Sequence, residues 1–448
     1  MASPTFKQFG GIRPAVHPTL LGDSDATQAH NCKLASGKAV PLVEPAVVSG
    51  MRLFGRWGLT DIKDAQTIRT MKASGGTTVM LAFPYVTDAI DGNIADDASR
   101  RVLAVGEGHA PEILTINANA TYVYATDLPI PVPAVPVVTR VSSATGDRYT
   151  KYTQSFVTSL GYEGGLSDLS AEIQYNNGDA VTVSAYASAL GSSITARRIY
   201  KVISGTEDEA IQFVQEIPLF VPTTITVADE DAGESEPGFE SAPEDLYILC
   251  KVPGNFYAGV SLSNPRTLML SDAATPTSWP LTTRYDVFGD IVAVVSTANT
   301  VFVLTDTKPF AATGSDPAAM IPQGLDPEAA CVSRRGVCVL NNTVYYASHN
   351  GIMVLSDGAA LGSTAANATV GIWTKEQFAA LSPATSFAMV YNGVMFWWFP
   401  DAEAGTPTSY MVTPRAGGSI DVTTHDETCV CACTDAPTGK MYFVREDA

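Results

Sequence analysis

Asn392-Gly393-Val394-Met395-Phe396-Trp397-Trp398 is a short turn that opens directly onto a run of β-branched and aromatic residues. Asn and Gly tolerate the positive φ of a tight hairpin, and the residues behind them are strong strand formers. The same arrangement occurs at Ala298-Asn299-Thr300 before Val301-Phe302-Val303-Leu304, and at Asn341-Asn342-Thr343 before Val344-Tyr345-Tyr346. It returns at Thr438-Gly439 before Met441-Tyr442-Phe443-Val444. Counted from residues 299, 342, 392 and 439, the spacings are 43, 50 and 47 residues. A hairpin recurring at that interval predicts one small antiparallel sheet per repeat, the signature of a β-propeller.

Outward from this repeat, the chain of 448 residues is 46% hydrophobic and 16% charged, with 36 Gly and 28 Pro, a turn-rich β-type composition and not a disordered one. Helical patterning is confined to Thr374–Leu381 and Asp61–Lys72. The expected fold is therefore all-β. Residues 1–50 read as an extended Pro/Gly-rich arm, with Phe9-Gly10-Gly11-Ile12-Arg13-Pro14 near its start. Residues 51–136 read as a first part of the propeller, ending in the alternating-proline linker Pro129 to Pro136. Residues 137–245 show short period-two runs, as at Tyr149 to Thr158 and Ala180 to Tyr186, and read as an inserted β-sandwich of fibronectin type III kind. Residues 246–448 carry the repeats to the end and would close the ring with the first part, removing free sheet edges.

The formal net charge is 27 − 46 = −19, and the 137–245 stretch supplies 17 − 6 = 11 of that acidic excess. This argues against a protein that grips phosphate backbones through clustered Lys and Arg. It is compatible with a passage that keeps a polyanion mobile. No apolar run is long enough for a transmembrane helix, and the N-terminus lacks the layout of a secretory signal. Seven irregularly spaced Cys read as reduced thiols of a chain made in a cytosol.

Candidate chemical sites are weak. Cys429, Cys431 and Cys433, with His425 nearby, alternate along a strand, whereas zinc ligands converge from a Cys-x-x-Cys turn; packed core thiols are the reading. Asp229-x-Asp231-x-Gly233-Glu234 and Asp91-Gly92-Asn93 with Asp96 and Asp97 only begin like calcium loops and read as solvated acidic loops. Gly106-x-Gly108 lacks the third glycine and the helix of a dinucleotide site. Ser271-Asp272 to Ser278-Trp279 faintly resembles a sialidase turn box, with the Asp displaced and the Gly missing. No catalytic, cofactor or metal assignment follows, and the chain does not read as an enzyme.

Several segments together resemble the tail nozzle and tail-hub proteins of tailed bacteriophages. They are the arm Phe9 to Pro14 with Pro18 to Leu21, Ala26, Ala29, Asn31, Leu34, Gly37 and Pro41; Asp97 to Leu103; and the Pro-rich linker. Further along come Tyr149-x-x-Tyr152-x-x-x-Phe156 with Gly161 and Glu163, Ser278-Trp279-Pro280, Thr313 to Met320, and Cys331 to Gly336. Gly164 departs from the pattern, standing where a Ser follows the Glu. The resemblance implies a structural virion protein, made in the host cytoplasm and located in the phage tail. It implies a homo-oligomeric ring, commonly sixfold, below the portal and adaptor, through which genomic DNA passes during ejection. On that reading Phe9, Ile12, Arg13 and Pro14 bind a neighbouring subunit. The rival expectation is a carbohydrate-binding or glycan-cleaving propeller of the tail, which needs exposed Trp or Tyr platforms.

Overall fold

The structure, a computed structural model, describes residues 9–445 apart from 23, 36–37, 93–96, 98–99, 142–144, 185–192, 204–209, 220, 222, 227–239, 274, 327–328, 358–364, 416–418 and 436. Each tight turn read from the sequence joins the first and second strands of a sheet. At Asn341 and Asn342 φ is 52° and 57°, and at Asn392 and Gly393 it is 49° and 75°. Two consecutive positive φ values match the twist of the flanking strands, so these two turns each set a two-residue hairpin.

Five four-stranded antiparallel sheets result, spanning 87–127, 246–286, 291–324, 337–367 and 387–424. Two smaller sheets complete the set. Arg52–Gly55, Thr67–Lys72 and Thr78–Phe83 form one, and the hairpin Cys431–Asp435 with Lys440–Val444 forms the other. The innermost strands succeed one another around an axis. From Thr87–Asp91 the order is Leu246–Val252, Ile291–Ser296, Val337–Leu340, Phe387–Tyr391, Cys431–Asp435 and then Thr67–Lys72. The ring closes where Thr70 Oγ1 donates to Asp435 Oδ1 at 2.8 Å and Thr87 N–H donates to Thr67 Oγ1 at 3.0 Å. N-terminal and C-terminal pieces thus meet, and the chain is a β-propeller.

Alternation along the strands explains the packing. In the 337–367 and 387–424 blades, Tyr345, Ala347, Met395 and Trp397 enter one shared core, while Val394, Phe396 and Trp398 turn to the opposite face. Fully burying one such side chain contributes roughly 1.5–3 kcal/mol, so layers of this kind supply most of the stability.

Between the 87–127 and 246–286 blades the chain leaves the ring. Val137–Arg140, Ala180–Ser184 and Thr223–Thr226 form one sheet. Arg148–Thr158, Ile173–Tyr175, Ile194–Ile203 and Ala210–Pro218 form a second. The two share a core of Tyr152, Tyr175, Val181, Val183, Ile199, Ile217 and Ile225, a two-layer sandwich. Phe156, Tyr162 and Ile194 at its end pack with Leu103, Leu246 and Trp279, so the sandwich is seated on the joint between two blades.

One expectation is corrected. Asp61–Lys72 is not helical: only Ile62–Asp64 makes a 3-10 turn, and Thr67–Lys72 is a strand paired with Thr78–Phe83. Its β-branched Thr67, Ile68 and Thr70 favour the pleated ladder once a partner strand is present. Helix does form at Lys375–Ala379, where Thr374 and Gln377 make a reciprocal capping box.

Candidate functional site

The propeller axis is the first place to look for a passage. Thr67, Arg69, Asp88, Val339, Val390 and Thr434 line a cavity of about 490 Å³ there. That is the size of a small-molecule site and far below what a DNA duplex requires. Its lining is mostly Thr, Ala and Val, and its charges are engaged. Asp88 Oδ2 accepts from Arg334 at 2.8 Å and from Leu249 N–H at 2.9 Å, while Arg69 meets Asp91 at 2.6 Å. Arg334 also donates to the carbonyl of Tyr247. One guanidinium therefore ties three blades together at the axis.

The sandwich holds a second polar cluster. Ser155 and Tyr200 both donate to Glu163 Oε1, and Arg198 reaches Glu163 Oε2 at 2.5 Å. Burial, with Glu163 adding to it, raises the Tyr200 phenol well above its ordinary range. Both carboxylate oxygens are thus occupied by the sandwich's own donors. The cluster joins Arg148–Thr158 to Ile194–Ile203 through the loop that carries Glu163.

The cysteine row divides. Cys431 and Cys433 face the 52–83 sheet, while Cys429 lies in the core of the 387–424 blade. Burial pushes the thiols of Cys431 and Cys433 up to about 12. His425 is buried beside Phe396 and Trp398, and its Nδ1 accepts from Glu427 N–H at 3.3 Å. Burial pushes its pKa down to about 4. The unfolded imidazole takes a proton near pH 6.5. Stability due to the neutral ring is therefore complete above about pH 6.5 and is lost as pH falls, by up to about 3 kcal/mol at pH 4. His425→Phe is expected to flatten this acid limb in urea titrations between pH 7 and 4.5. An unchanged slope would remove His425 as its source.

The other sequence candidates resolve as follows. Asp272 N–H donates to the Ser278 carbonyl at 3.0 Å, Ser278 Oγ donates to Asp272 Oδ2 at 2.5 Å, and Trp279 Nε1 donates to the Pro276 carbonyl at 2.9 Å. The box that resembles a sialidase turn is a self-satisfied corner that buries Trp279. Asp229, Asp231, Gly233 and Glu234 lie outside the described residues, as do Asn93 and Asp96. Among the described residues, no group of three His, Cys, Asp or Glu is arranged to hold a metal ion.

The arm is the most elaborate joint. Within the chain, Phe9, Ile12, Arg13 and Pro14 meet the 387–424 blade and the segment preceding it. Ile12 N–H donates to the Val422 carbonyl at 2.9 Å, and the side chain is buried with Ile372, Trp373 and Ile420. Phe9 packs half-buried against the same cluster. Arg13 lies 3.6 Å from Asp25 and 3.7 Å from Asp421, and the exposed Pro14 offers its carbonyl to Gln377 Nε2 at 3.0 Å. Farther along, His30 and Asn31 each reach Asp426 at 2.6 Å. Burial raises the Asp421 carboxyl despite the Arg415 and Arg13 guanidinium groups beside it.

No protein-family model and no curated protein matches the chain. Several solved structures are distantly similar to the chain. The WD40 repeats of RRP9 are 7% identical, with 84% of this chain and 90% of that chain covered and a TM-score of 0.34. AztD of Citrobacter koseri is 9% identical, with coverages of 66% and 77% and a TM-score of 0.29. PorZ, a surface component of the type-IX secretion system of Porphyromonas gingivalis, is 10% identical, with coverages of 80% and 39% and a TM-score of 0.25.

Proposed function

We propose that the chain is a structural protein of a phage tail, one subunit of a homo-oligomeric nozzle or hub ring that conducts DNA. The observation that carries this reading is where the family-like segments fall: they are the joints of the architecture. Arg101 of the Asp97–Leu103 segment donates to Tyr162 Oη, next to Glu163, at 2.7 Å, locking a blade to the sandwich. Trp279 is buried in the same joint. Arg334 spans three blades, and Arg335 donates to the Val430 carbonyl at 2.6 Å while lying 4.5 Å over the Phe387 ring. Residues spent on fixing rigid sheets to one another suit a part that bears load.

The axial cavity is too small for a duplex, so DNA runs through a lumen enclosed by several copies. The sandwich, of fibronectin type III kind on this reading, decorates the outside. The portal, adaptor and other tail proteins are the partners. A sixfold ring has a mass of about 6 × 47.2 = 283 kDa, which light scattering measures directly and negative-stain micrographs display as a ring. A monomer that releases reducing sugar overturns the proposal in favour of a glycan-cleaving propeller. For that rival, Tyr122 and Tyr124 offer an aromatic surface: they are 58% and 54% exposed, edge to face with centroids 4.7 Å apart. They sit at an outer strand of the 87–127 blade and not at its axial mouth.

A further inference from the structure

The linker between the 87–127 blade and the sandwich is built on a period of three. Pro129, Pro131, Pro133 and Pro136 each hold φ at about −65° and keep the residue before them out of the helical region, so the segment runs extended. Ile130, Pro133 and Pro136 are buried, while the residues between them are exposed. That is the three-residue turn of a polyproline II helix seated along one face. Ile130 enters the core at the joint of blade and sandwich, and Gln154 Nε2 donates to the Ala134 carbonyl at 2.7 Å. The other faces stand clear: Val132, Val135 and Val137 are 52%, 43% and 57% exposed. The linker is therefore a fixed apolar ridge, and a partner meets it without having to order it.

Tyr122 and Tyr124 supply the matching half. Both are more than half exposed, and their rings meet at 63° to form an angular notch. Among the described residues, neither phenol hydroxyl has a hydrogen-bond partner. A polyproline II chain makes no hydrogen bonds to itself. It is recognised by aromatic rings packed against its ridge and by hydroxyl donors to its carbonyls. Both halves of such a contact thus stand open on one chain, and within that chain they do not cover each other.

We infer that they cover each other between copies: the Tyr122–Tyr124 pair of one copy packs on the ridge, residues 131–137, of the next. The inference rests on the reading of the chain as a ring subunit and deepens it by naming the contact that joins neighbours. Ridge and tyrosines are different surfaces, so the contact is heterologous, the kind whose repetition builds rings.

Light scattering on the full-length protein and on two double variants, Y122S/Y124S and V132D/V135D, tests it. All four side chains are exposed, so neither variant disturbs the core. The expected result is an assembled wild type and two variants that each fall to 47.2 kDa. Mixed together, the variants regain one sound contact, the ridge of the first against the tyrosines of the second. They then form a heterodimer of about 2 × 47.2 = 94 kDa. Variants that both remain assembled overturn the contact and leave the ring standing. Dissociation of only one variant overturns the pairing of ridge with tyrosines, and so does a mixture that stays monomeric. A wild-type dimer that both variants dissociate and the mixture restores keeps the contact and removes the ring, while a monomeric wild type removes both.

Discussion

Arg334→Met lowers the stability of the propeller by about 2–3 kcal/mol, the largest loss expected from any single axial side chain. The guanidinium holds Asp88 at 2.8 Å, donates to the Tyr247 carbonyl and lies 5.4 Å over the Tyr247 ring. Removing it leaves the carboxylate with the Leu249 N–H and strands a carbonyl between blades. Breaking a buried pair from one side costs roughly 3–5 kcal/mol. Arg334 and Asp88 are 16% and 29% exposed, so water recovers part of that, which is why the lower figure applies. Asp88→Asn should cost less, because the amide oxygen still accepts from Leu249. The double variant should cost less than the sum of the two, giving a coupling of about 1 kcal/mol in urea titrations. Additive losses would show that the contact does not join the blades energetically.

The same residue shows what was legible beforehand. The hairpins were, because a tight turn with positive φ leaves a local signature in Asn and Gly. Gly254-Asn255, with φ of 103° and 71°, opens onto Phe256–Ser261 and belongs to that series. It lies 44 residues before Asn299, yet the sandwich immediately ahead of it hides the period. The 87–127 blade joins its first two strands through the long 92–101 connection instead of a tight turn, so a search for short turns passes over it. Long-range contacts are a different matter. Arg334 meets Asp88 across 246 residues, and nothing in the local pattern of either announces the other. The alternation of Cys429, Cys431 and Cys433 predicts three thiols on one face of one strand. Cys429 precedes the strand and escapes its pleat.

Gly11→Val is expected to detach the arm without unfolding the ring. Gly11 has φ of +77°, and a Cβ built there falls 2.5 Å from the Val422 carbonyl oxygen, a backbone atom that cannot step aside. The left-handed conformation costs a β-branched residue about 1–2 kcal/mol before the clash is counted. Burial of Ile12 with Ile372 and Ile420 holds the arm by about 2 kcal/mol. Strain and clash together exceed that figure, so residues 9–16 come free while the Asp426 clasp of His30 and Asn31 still holds the segment behind them. Limited proteolysis should then cut within that segment about 100-fold faster, and exchange at Ile420–Thr424 should rise with it. Pro14→Ala, at an exposed position, serves as the control and should change neither. The mass of the assembled protein adds a second discrimination. If the arm serves its own blade, Gly11→Val leaves the ring mass unchanged. If arms are exchanged between neighbours, the ring dissociates in proportion to the fraction of arms released. Proteolysis as slow as in the wild type would show either that the backbone at Gly11 relaxes with Ile12 still docked or that the Asp426 clasp alone anchors the arm.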